Sequence, residues 1–250
     1  MLEFLAFDII IISFLLEFLD IYAGMGFGMI TPVLILLEYQ PLDIIPPVLL
    51  LSCLFGLSAA FFHHWFENVS FTEPLILKIV STTILLGLIG IVVGVGVAVF
   101  MPVKLLELYI GVLIVLLGVI VILRRSPILF SWRKLGFVSL VAGFNKGMSG
   151  GGYGPILTSG QILSGILNKQ SVSITALAEG VVSLVGFATF FLFSRVHINW
   201  TLAVSMLIGG GLAVLPATYV VKISRVVHLK IVIGLTSIVL GLAMLIQKLI

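Results

Sequence analysis

Four ionisable side chains lie inside long apolar stretches of this sequence: Glu17, Asp20, Lys146 and Glu179. An ionisable group surrounded by hydrocarbon is costly and usually serves a function. In one interpretation, Lys146 supplies positive charge for an anion while Glu179, Asp20 or Glu17 exchanges a proton. In the other, Lys146 forms a buried structural salt bridge with Asp20 or Glu179. The sequence leaves both interpretations open.

Two glycine-rich segments adjoin these charges, AGMGFGMITP (23–32) and KGMSGGGYGP (146–155). Glycine and proline interrupt helices, and interrupted backbone is tolerated in a membrane only where it is buried in protein or lines a wet cavity. Free amide groups of such a loop attract anions. Broken helices paired across two halves of a chain indicate a transporter site near the membrane midplane. The alternative is close helix packing through small residues.

Hydrogen-bonding side chains cluster around both segments. Asn145, Ser149 and Tyr153 surround the second segment and Thr31 lies in the first, while Thr175 lies one helical turn before Glu179. The predicted binding residues are Lys146, Asn145, Ser149, Gly150, Gly151, Tyr153, Gly26, Gly28 and Thr31. The candidates for proton coupling are Glu179, Asp20 and Glu17.

Other patterns do not indicate a catalytic or cofactor site. His63 and His64 are adjacent and project to different helix faces, which favours a structural role at the membrane boundary over metal binding. Ser149 has no neighbouring His or Asp that could activate it. The glycine runs match neither the dinucleotide fingerprint nor the P-loop. We therefore expect no enzymatic activity, no metal and no cofactor.

The composition predicts an integral membrane protein. Hydrophobic residues make up 61% of the 250 residues and charged residues 9%, against about 45–50% and about 25% in soluble domains. Such a chain has too little polar surface for water, so lipid must cover most of it. The basic clusters fall in short inter-helix segments and form no nucleic-acid-binding patch; they are Arg124-Arg125, Arg133-Lys134 and Lys222/Arg225. Cys53 is the single cysteine, which excludes an intrachain disulfide.

The chain contains eight apolar runs, typical of membrane helices at about 20 residues per span. They cover about 4–37, 44–62, 75–103, 105–123, 135–165, 171–194, 199–221 and 227–249. Several residues recur 123 positions apart, as in 155 − 32. The pairs are Gly24 with Gly147, Pro32 with Pro155, Gly111 with Gly234 and Gly118 with Gly241. We predict two homologous four-segment repeats, 1–127 and 128–250, within one membrane domain.

The positions of Lys and Arg predict the topology, because basic loops stay in the cytoplasm. If all eight segments cross, seven basic residues face one side and five the other. If each glycine-rich segment enters and leaves on one side, the counts become nine and three, which favours six spans plus two re-entrant segments. Three full spans per half make the repeats inverted. The predicted fold is therefore an all-α polytopic membrane protein with two homologous, inverted repeats, each opening with a Gly/Pro-broken or re-entrant helix. A single long kinked helix at each break is the alternative.

The sequence resembles the sulfite exporter TauE/SafE family of membrane permeases. The resemblance rests on the ordered pair GMGFGMITP (24–32) and GMSGGGYGP (147–155). It extends to the polar stretch 169–175, the turn from His64 to Val69, and Ile198-Asn199-Trp200. The first segment departs from the commoner pattern of the family, because Phe27 and Met29 replace glycines. The resemblance therefore assigns the binding role mainly to 146–155.

The resemblance implies a multi-pass transporter of the plasma membrane. Its partners would be a small anion, notably sulfite or an organosulfonate, and the lipid bilayer, with transport driven by an ion or proton gradient. A passive anion channel and a membrane scaffold or assembly subunit without transport activity are the alternatives, and a homo-oligomer is left open. A scaffold does not need two broken helices with buried charges, which favours the transporter.

Overall fold

The computed structural model describes residues 7–24, 27–123, 130–163, 165–193, 198–223 and 230–249. All regular secondary structure in these ranges is helical, which confirms the predicted all-α class for this part of the chain. A 3-10 turn, Phe27–Met29, precedes the second helix. The helices are α1 (Phe7–Ala23), α2 (Ile30–Leu36), α3 (Pro41–Trp65), α4 (Pro74–Phe100), α5 (Val103–Leu123), α6 (Trp132–Ser149), α7 (Tyr153–Leu163), α8 (Asn168–Phe193), α9 (Trp200–Ile223) and α10 (Lys230–Leu249).

Within the described ranges, five helices are long and apolar enough to cross a membrane: α3, α4, α5, α8 and α9. Helix α10, with 20 residues, coincides with the sixth predicted span. Large apolar side chains cover the outer faces: on α4, Leu85, Ile89 and Val93 are exposed at one-turn spacing while the opposite face is buried. Lipid solvates such a surface, whereas water would not.

Helices α1 and α6 both end inside the glycine-rich segments. Gly24 and Gly150 each adopt a φ of 69°, a left-handed conformation that glycine reaches without a steric penalty and that commonly ends a helix. The amide of Gly24 donates to the carbonyl of Asp20, and the amide of Gly150 donates to the carbonyl of Lys146. Asp20 and Lys146 therefore each lie four residues before the glycine that ends their helix.

Close contacts between helices give their relative directions. Gly143 of α6 lies against the backbone of Gly87 in α4, and Gly147 lies against Val95. The later residue of α6 contacts the later residue of α4, so the two helices run parallel. By the same reasoning α3 and α8 run antiparallel, because Gly180 lies against Leu57 whereas Gly186, farther along α8, lies against Leu49.

The chain from α6 through α7 leaves the bundle at the end where it entered. Leu135 near the start of α6, Ile166 between α7 and α8, and Ile76 near the start of α4 belong to one buried apolar cluster. We call this end, where α4, α6 and α8 begin and α3 and α9 finish, the basic end. Its basic residues with described side chains are Lys78, Arg133, Lys134, Lys169 and Lys222.

The segment containing α1 and α2 finishes at the other end of the bundle. Leu36, at the end of α2, accepts a hydrogen bond from Gln247 near the end of α10, and α3 begins from this opposite end. The two glycine-rich segments meet in the middle of the bundle: Gly24 lies beside Thr158 of α7, and Gly28 lies beside Gly151. Their small residues let the chain segments cross in contact.

We predict that Gly90→Ala destabilises the protein by about 1–3 kcal/mol, the usual cost of overpacking. A Cβ at this position of α4 would lie 2.2 Å from the carbonyl oxygen of Leu140 in α6, so the helices would have to separate. Gly96→Ala, in the same helix, is the control because nothing lies within 4 Å of its Cβ. Thermal unfolding in detergent measures both, and equal stability of the two variants would contradict the packing.

Candidate functional site

The side chain of Lys146 lies fully buried at the junction of α3, α6 and α8. Its Nζ donates to Oε1 of Glu179 at 2.5 Å and to Oγ of Ser52 at 2.8 Å. The side chains of Lys146 and Glu179 are 0% and 7% exposed, respectively. A buried ammonium needs such partners, because desolvation of an unpaired charge costs several kcal/mol. The structure thus pairs Lys146 with Glu179.

Three carboxyl groups surround a small cavity beside this ion pair. Glu17, Asp20 and Glu179 line it together with Ser52 and Thr175, and its volume is about 20 Å³. A space of this size holds one or two water molecules, so this conformation has no room for a sulfite-sized anion. Glu17 is 2% exposed, and its Oε2 has no hydrogen-bond partner among the described residues.

The cavity is surrounded by more negative than positive groups. Glu17, Asp20 and Glu179 line it, a single ammonium lies beside it, and like charges at close range in a low dielectric repel one another. Together with its small volume, this surplus of carboxyl groups fits water better than a bare anion.

Two of the predicted binding residues have their polar groups engaged by the protein. Oδ1 of Asn145 accepts from the hydroxyl of Tyr109, and its Nδ2 donates to the carbonyl of Val141. Oγ of Ser149 donates to the carbonyl of Asn145 at 2.8 Å and accepts from the amide of Gly151 at 3.1 Å. In this conformation both side chains hold the shape of the second break and do not line the cavity.

The remaining predicted residues lie around the crossing of the two breaks. Gly28 and Gly151 pack against each other, and Gly150 lies 3.3 Å, measured from an ideal Cβ, from Oγ1 of Thr31. The hydroxyl groups of Thr31 and Tyr153 are buried without a hydrogen-bond partner in the described part of the chain. Gly26, the last predicted residue, lies outside the described residues. The structure therefore gathers the described members of the predicted set around one region, and among these members only the three acids line the cavity.

Ser52 and Thr175 line the cavity but are absent from the predicted site. Ser52 is uncharged and stands among apolar residues, so its residue type alone does not identify it as a site residue. A signal was nevertheless present, because the two residues are separated by 123 positions (175 − 52), the same offset as the repeated glycines and prolines. Applying the offset to polar residues within apolar runs would have found them.

Comparison with protein families identifies the chain. A family model described as "Sulfite exporter TauE/SafE" matches residues 9–244 of the 250 residues. The chain belongs to this family. The TauE/SafE assignment confirms the predicted resemblance and makes the protein a multi-pass transporter of the cell membrane, not an enzyme. No curated protein and no solved structure matches the chain.

We predict that Lys146→Met alone lowers the stability of this TauE/SafE protein by about 3–5 kcal/mol, since it leaves a buried carboxylate unpaired. Adding Glu179→Leu should recover most of this loss, because two apolar side chains of similar volume replace the pair. Thermal unfolding of the single and double variants in detergent tests this coupling.

Lys104→Met is the control for that experiment, since Lys104 is exposed at the opposite end and exposed substitutions usually change stability by less than about 0.5 kcal/mol. Additive losses in the double variant would contradict direct pairing of Lys146 with Glu179.

Proposed function

We propose that the protein is a proton-coupled secondary transporter that moves a small anion, such as sulfite or an organosulfonate, through a site between the two glycine-rich breaks. Lys146 is the group that binds the negatively charged head of the substrate. Glu179 is its partner in the empty transporter, and Glu17 and Asp20 share the exchangeable protons. The family, whose description names a sulfite exporter, supports the substrate class.

The observation that carries this proposal is the buried contact between Lys146 and Glu179 at 2.5 Å. An ammonium in the centre of a membrane protein attracts an anion strongly only when no carboxylate already neutralises it. Protonation of Glu179 turns its carboxylate into a neutral carboxyl group and leaves the positive charge of Lys146 uncompensated. The anion then takes the place of the carboxylate beside Nζ.

This exchange gives the coupling a direction. The proton on Glu179 and the anion on Lys146 are bound at the same time, so both cross the membrane in the same direction. A monoanion moved with one proton transfers no net charge. A transporter that exchanged the anion against a proton would instead need the proton to expel the anion, which is opposite to the effect of neutralising Glu179.

The breaks provide the means of opening the site to either side. We propose that 1–127 and 128–250 are inverted repeats, with the α1–α2 and α6–α7 segments re-entrant from opposite faces. Supporting this, α1 packs on α9 as α6 packs on α4, while α3 pairs with α8 and α5 pairs with α10. Exchanging the halves therefore maps the packing onto itself, as alternating access through inverted repeats requires.

The amides and hydroxyls of the second break complete the proposed site after it opens. Asn145 directly precedes Lys146, and Ser149 and Tyr153 follow it within two helical turns. A modest shift of the second break would turn their polar groups toward the anion. The amides of Gly150 and Gly151 add donors on the same side, as do Thr31, Gly28 and Gly26 from the first break. These roles require the cavity to expand when the substrate binds.

We predict that a sulfur oxyanion raises the thermal stability of the purified protein, since a ligand at about a hundred times its Kd adds about 2.7 kcal/mol. The panel holds sulfite, sulfate, sulfoacetate, taurine, acetate and phosphate at matched ionic strength. Lys146→Gln should abolish the shift, and Lys104→Gln, which alters an exposed lysine, should preserve it. A shift that survives in Lys146→Gln would exclude Lys146 as the ligand, and the lack of any shift would favour the scaffold.

We also predict that the anion which gives the shift binds more tightly as the pH falls, because protonation of Glu179 removes the competitor for Lys146. Glu179→Gln should bind that anion more tightly than the wild type at neutral pH and lose most of the pH dependence. Glu73→Gln, at an exposed carboxyl before α4, should behave as the wild type. Titration calorimetry at several pH values measures these affinities.

Anion flux into proteoliposomes separates the transporter from a passive channel. A transporter accumulates the anion when a proton gradient points in the same direction, and a channel does not. Weaker anion binding at low pH would contradict the proposed exchange between Glu179 and the substrate.

A further inference from the structure

A row of buried polar side chains joins the basic end of the bundle to the central cavity. Thr158 of α7 donates a hydrogen bond to Thr175 of α8 at 3.0 Å, and Thr175 lines the cavity beside Glu179. One turn closer to the basic end, Gln161 follows Thr158 by three residues and Ser171 precedes Thr175 by four. This spacing keeps each residue on the same helix face as its neighbour.

Gln161 and Ser171 are buried and have no side-chain hydrogen-bond partner among the described residues. Both residues are 0% exposed, and neither amide atom of Gln161 nor Oγ of Ser171 has a hydrogen-bond partner in the described part of the chain. Most buried polar groups have a partner in the protein or in bound water. A primary amide and a hydroxyl on facing helices, neither with a partner in the described part of the chain, therefore form a site for water.

Toward the opposite end, the described residues of α3 present an apolar face to the centre of the bundle. Ile44, Ile45, Val48 and Leu49 are each 0% exposed, and Gly150 packs on Ile45 and Val48. This face of α3 offers water no hydrogen-bonding side chain, in contrast to the facing sides of α7 and α8.

We propose that Gln161, Ser171, Thr158 and Thr175 form a water-filled proton route from the basic end to Glu179. A proton from water at that end passes along bound water to a carboxylate oxygen of Glu179, which becomes a neutral carboxyl group while Lys146 keeps its charge. Glu17 and Asp20 face the same cavity and share the incoming protons. The use of the proton at Glu179 rests on the proposed function, whereas the wet route does not.

The charge of the route fits water and protons better than the anion. All four side chains are neutral, and the row contains no cation that would bind an oxyanion before it reaches Lys146. The basic loops at this end predict that it faces the cytoplasm. The route therefore connects Glu179 with the cytoplasm in the conformation described.

Cysteine accessibility tests the route without any assay of transport. The background is Cys53→Ser, which removes the single cysteine. Ser171→Cys and Gln161→Cys report on the route, and Ser173→Cys is the matched control. Ser173 lies at nearly the same depth in α8 and is 0% exposed, but it donates to the carbonyl of Lys169 on another face of the helix. Thr72→Cys, exposed in the loop before α4, marks the basic end.

A small membrane-impermeant thiosulfonate reagent is added to intact cells and, separately, to inverted vesicles. We expect Ser171→Cys and Gln161→Cys to react from the same side as Thr72→Cys, at least tenfold faster than Ser173→Cys. Thermal unfolding of each cysteine variant, compared with the Cys53→Ser background, identifies a variant that is labelled only because it is misfolded.

Equal, slow labelling of positions 161, 171 and 173 would overturn the route, as would faster labelling from the side opposite to Thr72→Cys. Either result would leave the anion role of Lys146 intact. Conversely, the cysteines of the route could be labelled while no anion shifts the thermal stability. That combination would support the water-filled route and contradict the proposed function.

Discussion

Burial of one ammonium group organises the centre of this protein. Lys146 can remain charged at the core only because Glu179 and Ser52 surround its Nζ, and those partners come from two different helices. The ion pair thereby links α6 to both α3 and α8, the antiparallel pair that crosses the middle of the bundle. Replacing the pair with apolar side chains would satisfy packing equally well. Retention of charge at such a position points to a use beyond stability.

The rest of the core depends on backbone contact rather than on large side chains. Lipid provides no hydrophobic drive for helices to associate, so close packing through small residues must supply it. In the α4–α6 interface, Gly87, Gly90 and Gly94 meet Gly143 and Gly147 with no room for an added Cβ. Small residues likewise let the two glycine-rich segments cross at the centre. Gly24 and Gly28 lie against α7 and the second break, which brings Asp20 and Glu17 next to the ion pair.

The surroundings of the central cavity are asymmetric. Asp20 and Lys146 each lie four residues before the glycine that ends their helix, yet they carry opposite charge. Toward the basic end, α7 and α8 contribute hydroxyl and amide groups, and toward the opposite end α3 contributes branched apolar side chains. The two sides of the cavity therefore differ in chemistry.

Much of the architecture follows from local properties of the chain. Apolar runs of membrane length predict the helices, glycines predict where α1 and α6 end, and the position of basic residues predicts which ends share a side. The four central ionisable residues can also be identified from the sequence, because a charged residue within an apolar run stands out whatever the tertiary structure. These features depend on residues near one another in sequence, so they can be read without knowledge of the fold.

The choice of partners depended on the tertiary structure. Asp20 and Glu179 were equally plausible partners for Lys146, and only the packing of α3, α6 and α8 selects Glu179. Ser52 joins them from a helix 94 residues away in sequence, and Asn145 and Ser149 satisfy groups of the break itself. Hydrogen bonds need approach within a few tenths of an ångström, whereas periodicity locates a side chain only to a helix face. The sequence alone therefore determined which groups are buried, and the tertiary structure decided which of them meet.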